Sequence, residues 1–482
     1  MISATRPRLW TALTLTAAVP RVLAAFLLPN AFGDAYAYIR EVEALSAKLS
    51  SGTFHLTDLY GFWLPLYQFI CAALVVLFGH PFYVSKLVSA LCGVGICLLV
   101  YDITYRLTNH HKAALLTFAL VALSPLHIFN SASSMTDIPH AFFVLGGVFF
   151  VQRRKWIAAA ILIALAGLTR VDSWMLIPLV PALQFFMGRR VSLVACAILI
   201  FPPLFWFYIS WKATGDWMAC FVARKAYMDW LLSVNPSLAS FSLAGVARDV
   251  GALLLSTDMA VLAACLTAGW LIFKRRKSGR ELREVLPVSL FFYAFLGFIV
   301  LAYLTHKQPI IFPRYGLLLF ALGAPLLPWT FLQLMRLKPL QTRRLLYAIV
   351  AVSLFNACVQ LAYSAGYIKR EYTYGSVASS LREQFRPGTR IFSDDGTVPA
   401  LSLIAPENFR SSTDAPRDRA GFLSYLKEQE IEYLVFIDRP DSTPAQLFPE
   451  LRDGAGNEMF EQVMHASSKF LPADVRLYRV KQ

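Results

Sequence analysis

Residues 82–112 read FYVSKLVSALCGVGICLLVYDITYRLTNHHK. An apolar run long enough to cross a hydrocarbon core ends in a basic cluster, Arg106 to Lys112. Runs of this kind recur from residue 9 to residue 363. Of the 482 residues, 57% are hydrophobic and only 16% are charged. A soluble globule of this length has no interior large enough for that much apolar surface, whereas a bilayer hides it. After residue 365 the texture changes to charges, prolines and short apolar runs. The expectation is a polytopic α-helical membrane protein, residues 1–365, followed by a small soluble α/β domain, residues 366–482.

The formal net charge of +15 is unevenly spread. Residues 366–482 hold 15 bases and 17 acids, leaving 30 bases against 13 acids in the membrane part. Excess Lys and Arg beside spans marks loops kept on the cytoplasmic side. No aromatic-basic motif accompanies the charge, so nucleic acid is not an expected partner. The seven cysteines show neither a disulfide framework nor metal-ligand spacing. Arg6 and Arg8 ahead of residues 9–28 resemble the start of a signal peptide. No convincing small-residue cleavage site follows, and a retained first span is expected.

Twelve apolar segments are visible: 9–28, 63–78, 82–107, 113–132, 139–151, 156–169, 174–187, 191–211, 250–273, 285–305, 315–335 and 345–363. Basic clusters occur at Arg6/Arg8, Arg106–Lys112, Arg153–Lys155, Arg189/Arg190, Lys274–Arg283 and Arg336–Arg344. If all are cytoplasmic, an even number of spans separates each neighbouring pair. That condition holds if 63–78, short and interrupted by Pro65, lies in the interface as an amphipathic or re-entrant helix. Eleven spans follow, with the N-terminus inside. The loop 29–79, the loop 212–249 and the C-terminal domain then lie outside.

Acids are scarce in the membrane part, so each carries weight. Asp34 follows the first span and opens a surface helix in which Tyr38, Val42 and Leu45 recur at i, i+4 and i+7. It reads as a helix cap, as a catalytic carboxylate, or as both. Asp137, in Thr136-Asp137-Ile138-Pro139, falls on the same outer side and reads as a cap or as a second acid. Arg170 and Asp172 end the fifth span, as a local ion pair or with Arg170 facing a phosphate. His306-Lys307 and Pro313-Arg314-Tyr315 form a basic outer loop against the positive-inside trend. Headgroup anchoring is one reason; binding a lipid-linked phosphate, with the planar fork of Arg314, is another. Asp102 and Arg106, at i and i+4, read as a structural pair. Asp258 lies about two turns inside the segment 250–273.

In the C-terminal domain, residues 389–393, 432–436 and 475–480 read as strands and 420–430 as a helix. Asp394-Asp395-Gly396 after the first strand reads as a turn.

Several motifs occur in a telling order: an acid after the first span, Trp63-Leu64-Pro65-Leu66-Tyr67, Leu123-Ser124-Pro125 before Asp137-Ile138-Pro139, Leu168-Thr169-Arg170, and Pro313-Arg314-Tyr315. The order resembles the protein O-mannosyltransferase and aminoarabinose-transferase superfamily, the C-type glycosyltransferases of family 39. The resemblance implies an integral membrane enzyme that takes a sugar from a polyprenyl-phosphate donor and passes it to a hydroxyl on a protein, lipid or glycan. It implies Asp34 and Asp137 as the catalytic acids, with Arg314 and Arg170 as contacts for the donor phosphate, to which the basic outer loop adds Lys307. No cofactor or metal is called for by these residues. The chain departs from the group in having Trp63-Leu64 where many members carry Lys or His, and Ala35 where some carry a second acid. The resemblance further implies a cell (inner) membrane location with the site on the extracytoplasmic face. The rival readings are a transporter or flippase of lipid-linked glycans and a non-catalytic envelope assembly protein. A transporter would show charges along a central pathway and often an internal repeat.

Overall fold

The structure is a computed structural model that describes residues 7–30, 33–188, 190–234, 242–274, 279–305, 310–337, 339–412, 415–439, 442–454, 456–468 and 473–481. By contacts the chain forms two compact units. One comprises residues 1–28, 41–228 and 238–362, the other residues 29–40, 229–237 and 363–482.

The first unit is helical throughout. Among the described residues, six helices are long and apolar enough to cross a membrane, and three more spans arise if each bent helix pair counts as one. With the short apolar helices Asp137–Gln152 and Trp156–Thr169, they fall one for one on the eleven expected segments. Leu66–Phe78 is the segment set aside by charge parity. Its 13 residues rise about 20 Å, short of a ~30 Å core. Length alone does not separate it from the two short helices. Surroundings do: those two are largely buried, whereas Leu66–Phe78 buries Tyr67, Cys71 and Ala72 and exposes Val76, Leu77 and Phe78.

Three apolar segments are not continuous helices. His111–Ala122 bends 61° into Pro125–Ser131, Leu243–Thr257 bends 88° into Met259–Lys274, and Pro313–Gly323 bends 49° into Leu326–Leu337. In a membrane the backbone groups freed at a break need partners, since no water replaces them. Buried Arg21 supplies them at the first break, donating to the carbonyls of Ala122 (3.1 Å) and Val121 (3.3 Å). Gly93 is needed beside it, because a Cβ there would run into the Ser131 side chain. At the second break, Asp258 accepts from Ala260 N (2.8 Å) and Val261 N (3.3 Å). Asn356 and Gln360 donate to the Leu255 carbonyl at 3.1 and 2.8 Å.

Two expectations are corrected here. Asp258 is not two turns inside one span; it is the hinge between two helices, at φ 67° and ψ 124°, outside the left-handed helical region. Asp102 and Arg106 do not pair with each other. Asp102 takes Arg153, and Arg106 grips Glu284 through two bonds of 2.6 and 3.0 Å. Each charge meets an opposite one on a neighbouring helix, where a partner was not visible in the local sequence. The loop 212–249 also contains the helix Ala219–Val234 and the beginning of Leu243–Thr257.

The second unit is built on a five-stranded sheet, β1 (Arg390–Ser393), β2 (Phe409–Arg410), β3 (Ile431–Ile437), β4 (Phe460–Ser468) and β5 (Ala473–Val480). The order is β2-β1-β3-β5-β4, with β2, β1 and β3 parallel and β5 and β4 antiparallel. Both faces are covered. Ile391, Tyr433, Val435 and Leu477 pack against Tyr374, Val377, Ala378 and Leu381 of the long helix Pro339–Gln384. Phe392, Leu434, Phe436 and Tyr478 pack against Phe422 and Leu426 of the helix Arg419–Glu428. The expected α/β reading holds, and β2 and β4 are additions to it. The Asp394-Asp395-Gly396 turn is tied down: Asp394 accepts from Thr443 N (2.7 Å) and Asp395 pairs with Arg439 (2.9 Å).

Candidate functional site

In the first unit the helices Asp137–Gln152 and Trp156–Thr169 form an antiparallel hairpin joined at residues 153–155. The hairpin returns Arg170 to the level of Asp137. Pro139 sits in the first turn, where its missing N–H leaves no bond unmade. Small residues let the two helices close up: a Cβ at Gly147 would meet Ile163 at 2.6 Å. Arg170 leaves its helix in an extended conformation, which turns its side chain across the hairpin.

The Arg170 guanidinium bridges two carboxylates. It donates to Asp137 Oδ1 at 3.0 Å and to Asp172 Oδ2 at 2.9 and 2.7 Å. Asp137 is 5% exposed, and its Oδ2 is buried with no hydrogen-bond partner among the described residues. One turn along, His140 Nε2 lies 2.6 Å from Ser173 Oγ. Tyr315 links this group to Arg314: the guanidinium carbons of Arg170 and Arg314 lie 5.7 and 5.8 Å from its ring centre. Both are within the range in which a cation is drawn to an aromatic face. The turn Pro313–Tyr315 is followed at once by Gly316, where any Cβ would collide with Ser256. That close approach fixes the turn against the helix Leu243–Thr257.

Of the residues singled out in the sequence, Arg170 thus joins Asp137 directly and shares the Tyr315 ring with Arg314. Asp34 belongs to the second unit, as the first residue of the helix Asp34–Ser51. Tyr38, Val42 and Leu45 of that helix are buried, as their spacing predicts, while Asp34 is half-buried. Lys307 lies outside the described residues. The His140–Ser173 contact was not anticipated; its only local trace is His140 standing three residues after Asp137, on the same side of the helix. Among the described residues no three His, Cys, Asp or Glu side chains gather as a set that would hold a metal ion.

The arrangement is suited to an anionic, hydroxyl-rich ligand. It sets the Arg314 guanidinium, an aromatic face and one unsatisfied carboxylate oxygen about a guanidinium already held by two carboxylates, in a partly dehydrated setting where polar contacts gain strength.

Residues 59–177 match the family model described as dolichyl-phosphate-mannose-protein mannosyltransferase. The matched stretch contains Asp137, Arg170 and Asp172 but neither Asp34 nor Arg314. No curated protein sequence matches the chain. The fold is that of ArnT from Cupriavidus metallidurans: the crystal structure bound to undecaprenyl phosphate is 12% identical, with a TM-score of 0.55 over 98% of both chains. The apo structure of the same protein is 13% identical, with a TM-score of 0.45 over 98% of both chains. These findings bear out the resemblance drawn from the sequence.

Proposed function

We propose that this chain, a multi-pass membrane glycosyltransferase similar to the protein O-mannosyltransferase and ArnT group, moves a sugar from a polyprenyl-phosphate donor to an acceptor hydroxyl at the extracytoplasmic face. The observation that carries the reading is the Asp137–Arg170 ion pair, whose guanidinium shares the Tyr315 ring with Arg314, in a fold shared with a protein crystallised with undecaprenyl phosphate.

The reaction is a single inverting displacement. The acceptor oxygen attacks the anomeric carbon, the bond from that carbon to the phosphate oxygen breaks, and the polyprenyl phosphate leaves with the bonding pair. Asp34 takes the proton of the acceptor hydroxyl. Arg314 stabilises the charge that grows on the departing phosphate. Arg170, already bound to two carboxylates, shapes the pocket and fixes Asp137, whose open Oδ2 accepts from a sugar hydroxyl. Lys307 is proposed as a further phosphate contact. Phosphate is a fair leaving group, so positioning supplies much of the acceleration.

The other buried charges of the first unit have local work. Arg21 and Asp258 serve broken helices, and Lys86 donates to the Leu28 carbonyl at 2.5 Å. Asp249 pairs with Arg248 at 2.9 Å, so these charges of the described residues are engaged locally, which favours the enzyme reading over a transporter with charges along a central pathway.

The test uses the full chain with undecaprenyl-phosphate mannose and undecaprenyl-phosphate aminoarabinose, read by mass spectrometry of the product. Asp34→Asn is expected to lower transfer roughly 10²–10⁴-fold, the usual range for a removed general base. Wild-type transfer by that variant would sink the assignment of Asp34. Sidedness is checked separately, by a reporter active only outside the cytoplasm and fused after residue 365.

A further inference from the structure

The segment that carries Asp34 is bound into the second unit at three points. A Cβ on Gly33 would sit 3.3 Å from Thr397 Oγ1, and the Arg40 guanidinium lies 2.7 Å from where a Gly396 Cβ would be. Between them Tyr36, 1% exposed, turns its hydroxyl toward Glu371 and Asn30. Residues 33, 36 and 40 share one side of a helical turn, and Asp34 stands off that side.

Glu371 is 3% exposed. It lies eight residues beyond the apolar stretch 345–363, on the same long helix, and three residues before Tyr374 of the domain core. The Tyr36 hydroxyl and Glu371 Oε2 interact, yet neither is in formed hydrogen-bond geometry; both are buried and unsatisfied, as is Arg370 Nε. The groups around Glu371 are Tyr36 and Asn30 from the segment, and Arg370 and Tyr374 from its own helix. Asp395 faces it from the turn after β1, tied to Arg439 at 2.9 Å, and Arg40 stands over Gly396 beside that turn.

We propose that Glu371 is a positioning residue: acting through Tyr36, it holds the segment 29–40, and with it the Asp34 carboxylate, in working register on the soluble domain. The catalytic part of this inference rests on Asp34 being the base, while the anchoring part stands on the contacts alone. A protonated Glu371 offers Tyr36 both a donor and an acceptor. An ionised one still accepts from Tyr36 but puts a charge into a buried site, which Arg370 and that hydroxyl offset only in part.

The sign of the pH effect follows. Burial pushes the Glu371 carboxyl up to about 7, with Asp395 adding to the rise and Arg370 and Tyr36 opposing it. Release of the segment exposes the carboxyl and moves it back toward its ordinary value of 4.5. The anchored state thus binds a proton that the released state does not, between those values. Anchoring is fully present below about pH 4.5 and weakens as pH rises to about 7.

The experiment is hydrogen exchange on the detergent-solubilised full chain from pH 5 to pH 8, expressed as protection factors for residues 33–40, beside kcat and donor KM with the two undecaprenyl-phosphate sugars. Wild-type protection should fall across the range. In Glu371→Gln, neutral at every pH, it should stay flat, and the alkaline fall in kcat should vanish. Glu371→Ala should lose protection and kcat by roughly tenfold, the order of one lost buried polar contact, with donor KM within about twofold. Adding Tyr36→Phe to Glu371→Ala should cost nothing further. Flat wild-type protection, or wild-type protection in Glu371→Ala, overturns the proposal. If the alanine variant does not fold, the Glu371→Gln pH profile decides. If the wild type transfers neither sugar, the glycosyltransfer reading falls while the exchange data still decide the anchoring.

Discussion

The two polar clusters differ in how completely they are satisfied. Around Arg170, one guanidinium is saturated by two carboxylates, a histidine and a serine close at 2.6 Å beside them, and the Asp137 Oδ2 is left open toward the ligand in the proposed reaction. Around Glu371, a phenol hydroxyl and a carboxylate oxygen are buried without a formed bond. A saturated cluster has one arrangement and resists change. An unsatisfied one has little to hold it beyond packing, and a single proton alters its balance. The first suits a binding wall; the second suits a control point.

The sharpest way to break this contrast is to remove the saturating group. Arg170→Ala leaves Asp137 and Asp172 buried without their shared cation. Breaking a buried pair from one side typically costs about 3–5 kcal/mol. Both thermal stability and transfer should collapse. Arg170→Lys restores the charge but not the fork, so it should recover stability only in part. If Arg170→Ala melts within a degree or two of wild type, the cluster is not the rigid wall described.

A smaller effect is expected at the helix breaks. Gln360 donates to the Leu255 carbonyl at 2.8 Å and accepts from Ser124 at 2.9 Å. Gln360→Ala removes the acceptor of the Ser124 hydroxyl proton but leaves Asn356 on the carbonyl, 3.1 Å away. A loss of about 1–2 kcal/mol in denaturant unfolding is expected, well below that of Arg170→Ala. A loss as large would make the breaks, not the Arg170 cluster, the stiffest part of the unit.

These same residues mark what the sequence could and could not disclose. The helical segments were legible because bilayer thickness fixes their length. The breaks were not, because Leu, Ala and Val carry no mark of a bend and the groups that permit it stand far off in sequence: Arg21 serves Ala122 and Gln360 serves Leu255. Ion-pair partners failed for the same reason. Asp102 looked matched to Arg106 at helical spacing, yet each meets a different helix. Asp137 and Arg170 were legible one by one, but their contact depends on a hairpin that returns the chain 33 residues later. Glu371 was overlooked inside a charged run, although Glu371, Tyr374, Ala378 and Leu381 share one helical stripe. An acid on an apolar stripe is the signal that would have found it.

The smallest expected effect sharpens the contrast from the other side. Gly396 has an ordinary right-handed φ of −76°, so alanine is allowed there by the backbone. Its new Cβ would meet only the Arg40 guanidinium, the far end of a flexible side chain that can swing away. Gly396→Ala should therefore cost less than about 1 kcal/mol. The Tyr36–Glu371 contact should survive, with protection of residues 33–40 within about twofold of wild type. Loss of protection as deep as in Glu371→Ala would shift the anchor from the buried carboxyl to the close approach of Arg40. The unsatisfied cluster would then be a by-product of packing, and its pH dependence would have no bearing on Asp34.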